Sequence, residues 1–175
     1  IAYPVQEKLI DFLDSKFEPI VIGIDRGAGG QGISLIQHLT DDPQYFHKNY
    51  KERIFPVEFG GSVLIGYDSD GNEIRVKTKP HAVQLLSDLC VTHVLRFSTR
   101  DVEMISELEQ LSYIKTSTGE IVYRHISIKG TKAVEDHFTS ALLCAVLAYN
   151  LTTNEVYKLQ VKKLAKPSWF VTFGG

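Results

Sequence analysis

Two acidic residues, Asp25 and Asp136, lie where side chains from distant parts of the chain could bind metal ions together. Asp25 ends the apolar run Pro19-Ile-Val-Ile-Gly-Ile-Asp25, whose β-branched residues predict a strand buried on both faces. Asp136 lies in Glu135-Asp-His-Phe-Thr-Ser-Ala-Leu142, in the first turn of a predicted helix. Carboxylates from separate elements that converge at the end of a sheet suit Mg²⁺ or Mn²⁺. Two such ions about 4 Å apart can activate water and stabilise the leaving oxygen in phosphodiester hydrolysis.

The glycine-rich turn after Asp25 allows two other interpretations of this acid. The turn, Arg26-Gly-Ala-Gly-Gly-Gln-Gly32, matches the G-x-G-x-x-G pattern of dinucleotide sites. However, the carboxylate would repel a pyrophosphate by roughly a few kcal/mol. The acid expected about 20 positions later at the tip of the next strand is also missing, since Glu58 is later and is predicted inside its strand. In the structural interpretation the glycines form a close turn between strand and helix, and Asp25 caps that helix. We favour the metal-carboxylate role, and both alternatives stay open.

Asp136 also has a structural interpretation, because acids in the first turn of a helix complement its dipole by about 0.3–1 kcal/mol. Asp136 shares a helical face with Ser140, Leu143 and Leu147, and this face changes from polar to apolar along the helix. Asp136 would therefore lie just beyond the end of the element against which the apolar part packs. His137 beside it could be a polar neighbour, a proton carrier or a metal ligand.

The hydrophobic pattern predicts an α/β domain over residues 1–150 and a weakly patterned C-terminal extension over 151–175, with a possible strand at 156–161. An amphipathic helix containing Val5, Leu9 and Phe17 precedes the strand that ends at Asp25. The further predicted elements are a helix over about 30–40, a strand over 53–59, a hairpin over 63–77, helices over about 80–95 and 101–111, a second hairpin over 113–123, and a helix over about 131–150 with Val134, Phe138, Ala141, Leu142, Ala145 and Ala148 inward.

Composition sets limits on the class of protein. The 175 residues carry a formal net charge of −2, which argues against a surface that is basic throughout but allows a local basic patch. Cys90 and Cys144 lie in apolar helical patterns and suit core positions in a reducing compartment. The longest apolar run, from Ala141 to Tyr149, is too short to span a bilayer. The chain begins without Met, so we expect a fragment or a processed piece.

Three blocks of sequence together resemble the nuclease domain of tailed-phage terminase large subunits, a family with a ribonuclease H-like (resolvase-like) fold. The first block is the strand, Asp25 and glycine turn described above. The second is Phe55-Pro-Val-Glu-Phe-Gly-Gly61, followed by a hairpin, Lys77-Thr-Lys-Pro80 and a helix. The third is Thr118-Gly-Glu-Ile-Val122, followed by the block that contains Asp136 and an alanine-rich helix. The resemblance covers about residues 1–150, with these motifs in the family's order.

The resemblance implies a mixed sheet flanked by helices, with a β-hairpin insertion, and a metal-dependent endonuclease that cuts double-stranded DNA. It implies that Asp25 is the second catalytic acid and Asp136 the third, both ligands of two Mg²⁺ or Mn²⁺ ions, with His137 beside them. The family's first acid lies on an initial strand, followed by two more strands, that would precede residue 1. Ser140 also stands where the family often has Asp.

The resemblance further implies viral partners in the host cytoplasm, namely the terminase ATPase domain, the small terminase subunit and the portal, and no membrane. The sequence has no G-x-x-x-x-G-K-[S/T] loop, so this piece alone is not expected to translocate DNA. Lys77, Lys79, Lys129 and Lys132 are candidate contacts to DNA phosphates, although they could equally be solvated surface residues. A catalytically silent ribonuclease H-like docking module is the main alternative to a nuclease, and a nucleotide-binding protein that uses the glycine turn is the other.

Overall fold

The computed structural model describes residues 3–27, 30–126 and 137–153. Its elements alternate in the mixed α/β manner that the sequence predicts. The helices are α1 (Tyr3–Phe17), α2 (Gln31–Asp41), α3 (Tyr50–Arg53), α4 (Thr78–Val91), α5 (Val102–Glu109) and α6 (His137–Thr153), with a 3-10 helix at Pro43–Lys48. The strands are β1 (Ile22–Asp25), β2 (Ile54–Val57), β3 (Ser62–Tyr67), β4 (Glu73–Lys77), β5 (Leu111–Lys115) and β6 (Ile121–His125).

The parallel pair of β1 and β2 is the central part of the fold. The two strands are in register from Ile22 opposite Ile54 to Asp25 opposite Val57, and α2 lies in the connection between them. Ile24 and Ile54 belong to a buried cluster with Leu35 and Leu39 of α2. Phe55 and Val57 belong to a second cluster, which takes in α4 and α6. The strand pair therefore lies between two helical layers, the burial on both faces that the apolar run before Asp25 predicts.

Two antiparallel hairpins, β3–β4 and β5–β6, follow the parallel pair, as predicted. At the first hairpin the Asp68 carboxylate accepts hydrogen bonds from the backbone N–H groups of Asp70 and Asn72, which fixes the turn at Gly71 with a φ of +83°. Within the described residues the strands form three two-stranded sheets. The single mixed sheet that the resemblance implies is not formed among those residues.

The position of α1 departs from what its pattern suggests. The helix forms as predicted, but Val5, Leu9, Phe12, Leu13 and Phe17, here called the α1 stripe, are exposed, with Phe12 at 59% and Phe17 at 64%. The opposite side, which carries Ile10 and the buried Asp14, faces the body of the protein. α1 is thus attached through the ion pairs of Asp14 to Lys48 and Arg53 rather than through its most apolar face.

The buried face of α6 also differs in part from the prediction. Leu143, Cys144, Val146, Leu147 and Ala148 are buried, so Leu143 and Leu147 lie inward as their shared face suggested. Phe138, Ala141 and Ala145 are exposed, contrary to the prediction. The reason is that α6 packs against both β1 and α4, which buries a stripe adjoining the predicted one. The described part of α6 reaches Thr153 and so includes residue 150, where the predicted domain gives way to the predicted extension.

None of the helices among the described residues is both long enough and apolar enough to cross a membrane. The predicted strand at 156–161, and Lys129, Lys132 and Asp136, lie outside the described residues.

Candidate site at the carboxyl ends of two parallel strands

Asp25 is the last residue of β1, at the end of the strand pair where α/β folds usually form their sites. Its side chain is half-buried, and one carboxylate oxygen accepts a hydrogen bond from the backbone N–H of Gly27 at 2.9 Å. A carboxylate has about four lone-pair positions, so this bond leaves capacity for a metal ion. We call this end of the β1–β2 pair the Asp25 end.

The direction in which the Asp25 side chain points follows from the alternation of side chains along β1. Ile22 and Ile24 pack with the α2 cluster, so Gly23 and Asp25 belong to the opposite face, against α6. A Cβ atom on Gly23 would lie 2.5 Å from the carbonyl oxygen of Cys144, which shows how closely α6 crosses this face. Burial, together with the charge of Asp25, raises the pKa of the Cys144 thiol to about 12. The Asp25 carboxylate therefore lies on the α6 side of the strand.

α6 crosses β1 closely at one point, where a Cβ atom on Gly23 would meet the backbone of Cys144. The residues that line a groove beside this crossing come from the start of β1 and from α6: Ile20, Val21, Gly23, Ala141, Ala145, Ala148 and Tyr149. The first described residue of α6 is the exposed His137. Asp136, which precedes His137 in sequence, is outside the described residues.

A buried acid that the sequence analysis did not single out holds the start of α6. Glu107 is 3% exposed, and its carboxylate accepts hydrogen bonds from the backbone N–H groups of Phe138 and Thr139. The Nε2 atom of His125 lies 3.0 Å from the hydroxyl of Thr139. Acceptors at a helix amino terminus satisfy N–H groups that have no partner within the helix. α5 and β6 therefore fix the first turn of α6. No periodic signal in the sequence marks Glu107, because its burial depends on how α5 docks against α6.

The end of β2 contributes a second acid beside Asp25. β2 stops at Val57, so Glu58 follows the strand rather than lying inside it, which corrects the prediction. The backbone N–H of Arg26 donates to the carbonyl of Val57 at 2.8 Å, continuing the strand pairing past Asp25. Across this pair, Arg26 Nη1 lies 3.1 Å from Glu58 Oε2. Two carboxylates and a guanidinium thus belong to the ends of neighbouring strands. The sequence analysis did not find this group because it predicted that β2 continues past Glu58.

Two of the four candidate DNA-binding lysines are described, and backbone hydrogen bonds connect both to this end of the molecule. The N–H of Gly61 donates to the carbonyl of Glu58 at 3.0 Å, and the N–H of Thr78 donates to the carbonyl of Gly61 at 3.1 Å. Lys77 and Lys79 flank Thr78 at the start of α4. Lys77 Nζ also lies 3.9 Å from Glu120 Oε1 in the second hairpin. Whether Lys129 and Lys132 join them stays a prediction.

The glycine turn agrees with one part of the structural interpretation of Asp25 and contradicts another. A Cβ atom on Gly32 would lie 1.9 Å from the carbonyl oxygen of Asp25, so the turn is as close as that interpretation expects, and glycine is required there. The amino-terminal cap of α2 is Gly30, with no side-chain hydrogen bond to the cap, so Asp25 does not cap this helix. The Gly27 N–H, which a phosphate-binding turn would direct at its ligand, is donated to Asp25.

A largely apolar groove lies between the start of β1 and α6. Its volume is about 410 Å³, and Ile20, Gly23, Ala145 and Tyr149 are among the residues that line it. In the described part of the chain β1 pairs only with β2, so its other backbone edge has no strand beside it there. Ile20, which lines this groove, is 82% exposed and follows the α1 stripe in sequence.

Among residues 3–27, 30–126 and 137–153, no three His, Cys, Asp or Glu side chains form a group that could hold a metal ion. Comparison of the chain with protein-family models, with curated proteins and with solved structures gives no match.

Proposed function

We propose that this chain is the ribonuclease H-like nuclease domain of a viral DNA-packaging terminase, which cuts double-stranded DNA by metal-dependent phosphodiester hydrolysis. One observation carries the proposal: Asp25 ends a parallel strand on the face that α6 crosses, and Asp136 directly precedes the described part of α6 in sequence. The two acids are more than a hundred positions apart in sequence, and the proposal brings them together because carboxylates from separate elements at one strand end can share metal ions.

In this proposal Asp25 and Asp136 hold two Mg²⁺ or Mn²⁺ ions, and His137 lies beside them. The bound ions supply the means to activate a water molecule and to stabilise the leaving oxygen. The protein side chains orient the substrate: Lys77, Lys79, Lys129 and Lys132 contact backbone phosphates without reading base sequence. Glu107 is a positioning residue, because it binds the backbone of the turn that follows Asp136.

Two features support the same proposal: the edge of β1 that has no strand beside it in the described ranges, and the exposed α1 stripe. Parallel strands as apolar as β1 are normally covered on both faces. The strands that the resemblance places before residue 1, with the first catalytic acid, would pair with this edge and cover the stripe. A nuclease of this kind would act in the host cytoplasm, together with the terminase ATPase domain, the small terminase subunit and the portal.

A catalytically silent docking module of the same fold is the second candidate. The α1 stripe favours it, since large exposed apolar patches are typical of surfaces that bind other proteins. The nucleotide-binding alternative has less support, because Gly27 donates its N–H to Asp25.

The test of the nuclease proposal is cutting of supercoiled plasmid by a protein extended before residue 1 by the strands that the resemblance implies. We expect cutting with Mn²⁺ or Mg²⁺, none with EDTA, and a loss of more than about a hundredfold in Asp25→Asn and Asp136→Asn, since each removes a charged ligand. Asp70→Asn, which changes an exposed acid at the first hairpin, is the matched control and should cut normally. Full activity of both site variants would eliminate the proposal, and absence of cutting with retained binding of packaging proteins would favour the docking module.

A further inference from the structure

Arg26 is a charged residue at the Asp25 end to which the proposed reaction assigns no role. It follows Asp25 directly, and its backbone is held in place by the 2.8 Å hydrogen bond to the carbonyl of Val57. Its side chain is 42% exposed and extends across the strand ends to Glu58, which is 64% exposed. The guanidinium is thus anchored by backbone pairing but accessible to a ligand.

The chemistry of this group suits a phosphate. A guanidinium is always charged and presents several N–H donors in a planar arrangement that matches phosphate oxygens. Exposed ion pairs contribute little to stability, so exchanging Glu58 for a phosphate oxygen carries a small penalty. Thr78, which Lys77 and Lys79 flank, is connected to the end of β2 through the backbone hydrogen bonds of Gly61.

We propose that Arg26 is a phosphate-binding residue at the Asp25 end, and that Glu58 holds its guanidinium across the strand ends until a DNA phosphate takes its place. The identity of the ligand as duplex DNA rests on the proposed function. The placement of the arginine at the ends of β1 and β2 rests on the geometry alone.

The test is binding of this chain to a short fluorescein-labelled DNA duplex, followed by fluorescence anisotropy with Ca²⁺ present at several salt concentrations. We expect Arg26→Gln to weaken binding about tenfold, as for loss of one charge-assisted contact. The slope of log affinity against log salt should fall in magnitude by about one. Arg26→Lys should recover part of the affinity, because it keeps the charge but not the planar donor group. Glu58→Gln should bind more tightly, because it removes a negative charge from the path of the phosphate.

The matched control is Arg100→Gln, which removes the same charge from an exposed position in the segment before α5. Thermal unfolding of each variant checks that the fold is intact. If Arg26→Gln binds as tightly as Arg100→Gln, with the same salt slope, Arg26 does not contact phosphate and the inference is overturned. If the unaltered chain does not bind duplex DNA at all, the proposed substrate is wrong, which is a different result.

Discussion

At the scale of single residues, Asp14 is the group on which the attachment of α1 depends. It is 4% exposed, and its carboxylate is paired with Arg53 and with Lys48, whose Nζ lies 3.5 Å away. Burial alone would raise the pKa of Asp14, but the hydrogen bonds and charges of Arg53 and Lys48 outweigh that effect and lower the pKa below its usual value. The folded state therefore favours the ionised form of this acid.

We expect Asp14→Asn to lower the free energy of unfolding by about 2–3 kcal/mol, since it leaves two partly buried cations without their shared partner. Asp11→Asn is the matched control: Asp11 lies on the same helix, 3.1 Å from Lys48, but is 40% exposed and should cost less than about 1 kcal/mol. Urea unfolding at neutral pH measures both values. Equal effects of the two substitutions would show that burial of Asp14 has no special importance.

The lowered pKa of Asp14 also predicts how stability depends on pH. An acid with a lowered pKa in the folded state contributes stability above its unfolded pKa of about 3.9, and that contribution is lost as the pH falls through the folded pKa. The unaltered protein should therefore lose more stability between neutral and acidic pH than Asp14→Asn does. Urea unfolding across this range measures the difference, and parallel pH profiles would contradict the assignment.

At the scale of elements, the crossing of β1 and α6 determines the candidate site, and Gly23 is what permits it. A Cβ atom there would lie 2.5 Å from a backbone oxygen of α6, a contact that no side-chain rotation relieves. Gly32, in α2, has the same role where that helix approaches the backbone of Asp25 and Arg26. One glycine in β1 and one in α2 therefore keep two helices close to the strand that ends in Asp25.

Gly23→Ala should lower the free energy of unfolding by about 1–3 kcal/mol, as expected when a methyl group is forced into a packed core. Gly66→Ala is the control, because Gly66 is also a strand glycine, in β3, and a Cβ there would meet nothing within 4 Å. Chemical denaturation compares the two. A neutral Gly23→Ala would mean that α6 does not cross β1 as closely as described.

Element types were largely predictable from the sequence, whereas the faces they bury were not. The apolar run before Asp25 and the Asp-Gly turn at residues 70–71 are strong local signals, and the strand and the hairpin form where they predict. Asp101, which the sequence pattern placed as the first residue of this helix, is instead its cap and accepts a hydrogen bond from the N–H of Met104. The exposure of the α1 stripe was not predictable, because amphipathicity shows that a helix has an apolar face but not which partner covers it.

At the scale of the whole molecule, the strand pair β1–β2 lies between helical layers, and charged groups collect at its carboxyl end. Asp25 was predictable because it ends an unmistakable strand. Glu58 and Glu107 were not, because one depends on where β2 stops within a residue or two, and the other on how α5 docks against α6. Tertiary packing decides both, and no periodicity in a single chain encodes it.

The most direct test of the two-carboxylate site is a crystal structure of the protein grown with Mn²⁺, with the metal located by its anomalous scattering. The proposed site predicts an Mn²⁺ peak bonded to both Asp25 and Asp136, with the two carboxylates within about 4–8 Å of each other, as a shared metal centre requires. Carboxylates more than about 12 Å apart, with no peak between them, would contradict the site and end the case for a nuclease.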